Sequence, residues 1–198
     1  MDFSEPQPVS ITNIHAFNKK YQGVYIQPED SSRLIVLSDK LISLEYFHIV
    51  SSRNDLDSSF EGDQSSNEQI TEWLAKENIQ VTGFKGDSIY SIWIIKDTIF
   101  IISDLNICRF LKGSYFLNHK YDAHQWKVQR MSLHKNRLSI GMIQPGDSLF
   151  HTVTIADKNT IKDDSGSVVN YQINPTKKEL KKLIKANAFS NWKEYIRE

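Results

Sequence analysis

Hydrophobic and polar positions alternate with a period of two along much of this chain, as β-strands do when one face meets a core and the other meets water. Leu138, Ile140 and Met142 fall on one face, with Arg137, Ser139 and Gly141 opposite. Ile42, Leu44, Tyr46, His48 and Val50 form another stripe, opposed by Ser43 and Glu45. The stretches from Ile89 to Ile95 and from Ile99 to Ile102 are apolar on both faces. They are expected at the centre, covered on one side by another part of the chain.

Tight polar turns centred on Ser38-Asp39-Lys40, Lys96-Asp97-Thr98 and Lys135-Asn136-Arg137 separate apolar runs, so each predicts a hairpin. Asp and Asn tolerate the left-handed backbone that such turns need. Gly83 and Gly86, around Phe84-Lys85, read as one more turn. Further strands are expected near 21–26, 33–37, 79–82, 115–118, 149–155 and 171–173. From Trp126 the apolar parity switches between Val128 and Met131, which predicts a β-bulge. Roughly ten strands exceed what a small flat sheet carries comfortably. The predicted fold is mainly β: an antiparallel meander closing into a barrel or splitting into a sandwich.

Two short amphipathic helices interrupt the pattern, near 66–77 and 176–187. Ser66 with Gln69 and Thr176 with Glu179 each have capping-box spacing, in which the cap hydroxyl and the later side chain satisfy each other's backbone N–H groups. Asn78 and Asn187 stand where the helices should stop. Leu180, Leu183 and Ile184 share one face of the second helix, and Lys177, Lys178, Lys181, Lys182 and Lys185 fill the other. Residues 1–19, with Pro6 and Pro8 near their start, are expected as a flexible lead or tether ahead of a single β-rich domain, 20–198. The tail from Trp192 to Arg197 is either a closing strand or irregular.

At 198 residues and 22.9 kDa the chain suits one domain. Its 24 basic and 24 acidic residues cancel, which argues against a nucleic-acid binder, because phosphate neutralisation supplies most of such a protein's affinity. The balance is uneven along the chain. From Asp55 to Asp87 the net charge is −6, and from Thr176 to Glu198 it is +4. A solvated loop and a solvated helix face account for both, and an asymmetry of this kind can also steer a partner. No stretch approaches the ~20 apolar residues that cross a bilayer as a helix, and the opening residues do not read as a signal peptide.

Candidate chemistry is sparse. Cys108, the one cysteine, lies in an apolar context without an adjacent base and reads as buried structure. His119, Asp122 and His124 cluster in sequence, but their spacing matches no standard metal motif. His48 and His151 interrupt apolar stripes and read as hydrogen-bonded core histidines. Asp55 with Asp57, or Asp163 with Asp164, could serve as acid and base if held across a cleft, as in glycoside hydrolysis. Asp157, Asn159, Asp163 and Asp164 share the composition of a calcium loop without its order of ligands. Phosphate-loop, dinucleotide, nucleophile-elbow and zinc-protease motifs are absent. Tyr115, Phe116 and Trp126 would suit a stacking face, but read better as core. No catalytic, cofactor-binding or metal-ligating residue is therefore assigned, and no cofactor is expected.

The segments Phe3-Ser4-Glu5-Pro6-Gln7-Pro8, Gly23-Val24-Tyr25, Lys112-Gly113-Ser114-Tyr115-Phe116-Leu117-Asn118, Trp126-Lys127-Val128 and Asn174-Pro175-Thr176-Lys177-Lys178-Glu179-Leu180 resemble an uncharacterised family of lipoproteins from Bacteroidetes-type bacteria. In that family a Glu-Pro-Gln-Pro lead follows the lipidated cysteine. The resemblance implies a periplasmic or surface-exposed, lipocalin-like β-domain. Its anchor would lie upstream of Met1 and be the chain's membrane attachment. An unknown ligand or envelope partner is expected, and no nucleic acid. The resemblance carries over no catalytic residues. The competing reading is a glycan-acting hydrolase using Asp55, Asp57, Asp122 or Asp163, and a third is a cytosolic interaction module.

Overall fold

The computed structural model describes residues 1–57, 66–146 and 148–198. Fourteen strands join one sheet, antiparallel except where the first strand meets the thirteenth. The chain opens with β1 (Asp2–Phe3), β2 (Asn13–Ile14), β3 (Gly23–Ile26), β4 (Arg33–Val36) and the long β5 (Lys40–Ser52). Helices α1 (Arg53–Asp57) and α2 (Asn67–Lys76) precede β6 (Ile79–Lys85) and β7 (Ser88–Ile101). A meander follows: β8 (Asn106–Leu111), β9 (Ser114–Asp122), β10 (Gln125–His134) and β11 (Arg137–Met142). The chain then adds α3 (Ser148–His151), β12 (Lys158–Lys162), β13 (Val168–Ile173), α4 (Lys177–Lys185) and β14 (Ser190–Arg197). The main strand path runs β12-β13-β1-β10-β11-β14-β3-β4-β5-β7-β6, with β9, β8 and β2 branching from β10.

This sheet curls without closing. Among the described residues no ladder joins its two ends, so the expected barrel is not formed. The curl is visible in the first core: Tyr25, Leu34 and Leu41 from one stretch meet Leu117, Met131 and Leu138 from the other, with Phe17 and Tyr21 between them. A second core lies on the opposite face of β8–β10, where Phe116, Trp126 and Val128 meet Leu180 and Leu183 of α4, together with Phe3 and Ile173. A third, smaller core joins Ile70 and Leu74 of α2 to Ile89.

The two-faced burial of β8–β10 explains the parity switch in β10. Val128 faces the second core and Met131 the first, while the ladder between Trp126 and Ser132 stays regular against β9. The expected bulge between Val128 and Met131 is therefore absent, and the register shift lies earlier, at Gln125/Trp126.

The turns at 38–40 and 135–137 form hairpins as the sequence indicates. Lys96-Asp97-Thr98 does not. There β7 continues as one strand, with Lys96 opposite Leu44 and Asp97 opposite Ser43. The polar triplet is an exposed stretch of strand, and its long partner β5 keeps the backbone extended. Consequently β7 lies next to the last strand of the path rather than at its centre. Gly86, at φ 59°, makes the β6–β7 turn, whereas Gly83 lies within β6 beside a register shift.

Both capping boxes form, at Ser66/Gln69 and Thr176/Glu179, and both Asn78 and Asn187 take positive φ after the last turn. The strand expected over 149–155 is instead the single turn α3 followed by irregular chain, which lets both Phe150 and Ile155 reach the second core. The stripe expected on β5 loses its burial outward, and His48 and Val50 are exposed. His151 is exposed too, its Nε2 3.2 Å from the Pro145 carbonyl oxygen.

The first residues are seated on the sheet rather than forming a flexible lead. Phe3 pairs with Trp126 on one side and Ile173 on the other, and is buried. Asn118, also buried, accepts from the Gln7 backbone N–H at 2.6 Å and donates to the Gln7 carbonyl at 2.9 Å. Arg109 donates to the Pro6 and Pro8 carbonyls and to Asn13 Oδ1. The tail is a strand. β14 lies between β11 and β3, and Gly141 is required opposite it, since a Cβ there would stand 2.7 Å from the Trp192 ring.

Candidate functional site

A cleft of about 570 Å³ opens in the concavity of the curled sheet. One wall is Ser43 and Glu45 of β5 with Ile99 of β7. The other comes from His119 of β9, Gln129 of β10, Ile140 and Met142 of β11, and Tyr195 of β14. Strand pairing sets these positions: His119 is opposite Lys127, and Gln129 is opposite Met142. Side chains two apart on a strand, or directly opposite across a ladder, share a face. Thus Lys127, Gln129 and His119 all turn into the concavity.

Polarity is graded through the cleft. Ile140 and Tyr195 are buried and form its floor. Glu45, Lys127 and Lys193 are exposed at its rim, so two cations stand against one anion. Neither Lys193 nor Glu45 is in an ion pair among the described residues. Lys127 has its Nζ 5.4 Å from the centre of the Tyr121 ring.

His119 is a titratable group that burial shifts toward neutrality here, as it does Tyr195. Its ring stands edge-on to Phe100, 4.9 Å between centroids, and its Nε2 is 3.3 Å from Gln129 Oε1. Desolvation lowers its pKa, and the Gln129 contact offsets this in part. In the unfolded chain His119 takes its proton near pH 6.5, while the folded protein holds it neutral to lower pH. The contribution is therefore complete above about pH 6.5 and is lost as pH falls toward the folded value. The thermal midpoint of the parent protein is expected to drop more steeply than that of His119→Gln as pH falls below about 6.5. Parallel curves in calorimetry at stepped pH would refute this assignment.

The sequence cluster His119, Asp122 and His124 is divided by the fold. His119 turns into the cleft, whereas Asp122 and His124 are exposed where β9 meets β10, with Asp122 Oδ1 accepting from the Ala123 N–H. Among the described residues no group of three or more His, Cys, Asp or Glu is placed to hold a metal ion. Asp163 is occupied by its own turn, accepting from the Ser165 and Ser167 backbone N–H groups and the Ser165 hydroxyl. These bonds depress its pKa. Asp55 is exposed on α1, and the Asp57 side chain lies outside the described residues. Cys108 is fully buried and desolvation pushes its thiol pKa well up, which leaves it protonated and inert. Tyr115, Phe116 and Trp126 are core residues.

Beside the cleft, where β5 and β7 run on toward α2, Phe47 and Trp93 pair across the ladder with ring centroids 6.1 Å apart. They are 45% and 41% exposed, and Phe47 shares its strand face with Glu45 at the cleft rim. The sequence marked none of Glu45, Gln129, Lys127 or Lys193 as a site residue. No family model, curated protein or solved structure matches this chain.

Proposed function

We propose that this chain is a non-enzymatic binding domain of the cell envelope that takes a small amphipathic molecule with an anionic end into the cleft of its curled sheet. The observation that carries the reading is the cleft itself. Its volume of about 570 Å³ falls within the roughly 300–1,000 Å³ typical of small-molecule sites. Its floor is apolar and its rim carries Lys127 and Lys193. An apolar body covers Ile140, Met142 and Tyr195, and the charged end meets the lysines, whose charge-assisted hydrogen bonds are the strong ones. Neutral His119 and the Gln129 and Gln144 amides supply direction without adding charge. The envelope placement is supported by the likeness of the Glu5-Pro6-Gln7-Pro8 lead and the following segments to lipoproteins. Under that reading the stretch encoded ahead of Met1 is apolar and ends in cysteine.

Anilinonaphthalene sulfonate, an apolar ring system with one sulfonate, is the probe of choice. Saturable fluorescence enhancement by the folded protein, displaced by a long-chain fatty acid, is the expected result. Lys127→Gln and Lys193→Gln should each weaken binding by about tenfold, the order expected for one charge-assisted bond. Unsaturable binding, or binding equally tight in the double variant, would refute the proposal.

A further inference from the structure

A second surface is built from charge rather than depth. On α4 the side chains of Lys178, Lys181, Lys182 and Lys185 border a shallow groove of about 430 Å³, joined by Lys112 from the β8–β9 turn, with Ile184 among them. The fold brings Lys112 there from about seventy residues away in sequence, on a turn with φ 48° at Lys112 and 77° at Gly113, the left-handed pair of a tight hairpin. No carboxylate lines the groove. The nearest acid along the helix, Glu179, is committed to the Thr176 N–H and hydroxyl and to the Ala156 N–H. Among the described residues none of the five lysines is in an ion pair. Five lysines therefore stand together around a groove that no carboxylate lines, on a protein of zero net formal charge.

We propose that this face docks the protein on an anionic lipid bilayer. Three features favour a membrane surface over other polyanions. The groove is shallow and presents lysines only, compact point charges that suit a diffuse layer of headgroups better than the bidentate fork by which arginine grips a single phosphate. No aromatic side chain lines it, so it lacks the stacking platforms used for single-stranded nucleic acid. The helix α2 and strand β6, the described part of the acidic stretch 55–87, belong to the opposite end of the strand path, whereas α4 packs over β10 and β13 through the second core. A charge asymmetry of this kind steers the lysine face toward a negative surface. The apolar side of α4, with Leu180 and Leu183, is already buried, so attachment is electrostatic and the helix stays on the protein. This inference is independent of the cleft.

Flotation with vesicles tests it. The full chain should float with vesicles of equal parts phosphatidylglycerol and phosphatidylcholine at low salt, and not with phosphatidylcholine alone. Raising the ionic strength to screen charges beyond a few ångströms should release it. The triple variant Lys178→Gln, Lys181→Gln, Lys185→Gln should lose at least about tenfold in apparent affinity. A control triple at Lys40, Lys85 and Lys96 should bind as the parent does. An unchanged thermal midpoint shows that each variant is folded. Equal flotation of both triples would overturn the proposal, as would tighter binding to a single-stranded oligonucleotide than to the anionic vesicles in the same buffer.

Discussion

Asn118→Leu is expected to cost about 3–5 kcal/mol of stability, because it removes the partner of several buried backbone groups at once. The Asn118 side chain accepts from the Gln7 N–H and donates to the carbonyls of Gln7, Ile107 and Phe116, at 2.6, 2.9, 3.0 and 3.0 Å. Leucine matches its volume and offers nothing to those groups. A buried donor or acceptor left alone costs about 1–3 kcal/mol, and Gln7, itself fully buried, presents two of them. For a chain of this length the loss corresponds to a fall in thermal midpoint of about 10 °C. The effect should also be local. In the parent, residues 2–14 are pinned by Asn118, Arg109 and the pairing of Phe3, and in the variant their amides should exchange much faster than those of β9 and β10. A midpoint within a degree of the parent would show that the first residues contribute little to the fold.

Phe116→Ala is the second large effect. The ring is fully buried in the second core, edge-on to Phe189 with centroids 5.8 Å apart. It lies where the sheet, α4 and the first residues meet. Removing it deletes an aromatic side chain and leaves a cavity that the pinned β9 backbone cannot collapse to fill. Such truncations cost about 3–5 kcal/mol. Because the second core lies on the face of β9 away from the cleft, probe binding by the folded fraction should survive at moderate temperature. Loss of binding in step with full retention of stability would contradict the separation of the two cores.

What could be read from the sequence was local. The capping boxes at Ser66 and Thr176 need only residues three apart, and the turns at 38–40 and 135–137 need only short polar breaks between apolar strands. The burial of Cys108 is legible from its apolar neighbours, and that of Tyr115 and Phe116 from their residue type. Elsewhere local signals were overruled from a distance. Lys96-Asp97-Thr98 has the composition of a turn, yet β5 runs beside it and keeps it paired, with a register shift just beyond Thr98. The two prolines of the lead suggested freedom, but its partners Asn118 and Arg109 stand about a hundred positions away. The parity switch in β10 reads as a bulge in sequence because a strand buried on both faces, against two separate cores, gives the same pattern. The cleft was hidden for a related reason. Glu45, His119, Lys127 and Lys193 belong to four different strands, none unusual in its own segment, and only the curl of the sheet gathers them.

The position of β14 has a consequence for how the molecule is made. The strands from β3 to β7 and the meander from β8 to β11 become one continuous sheet through a ribbon near the end of the sequence. Leu138 pairs there with Tyr195, and Tyr25 with Arg197. Arg197 also donates to the carbonyls of Lys20 and Gln22 and to the Tyr25 hydroxyl. While the chain is being synthesised, β3 and β11 each present an unpaired edge until residues 190–197 leave the ribosome. The sheet is therefore completed only when residues 190–197 insert and zip the two stretches together. A nascent chain stalled before that point exposes two adhesive edges, the condition under which chaperones are most needed.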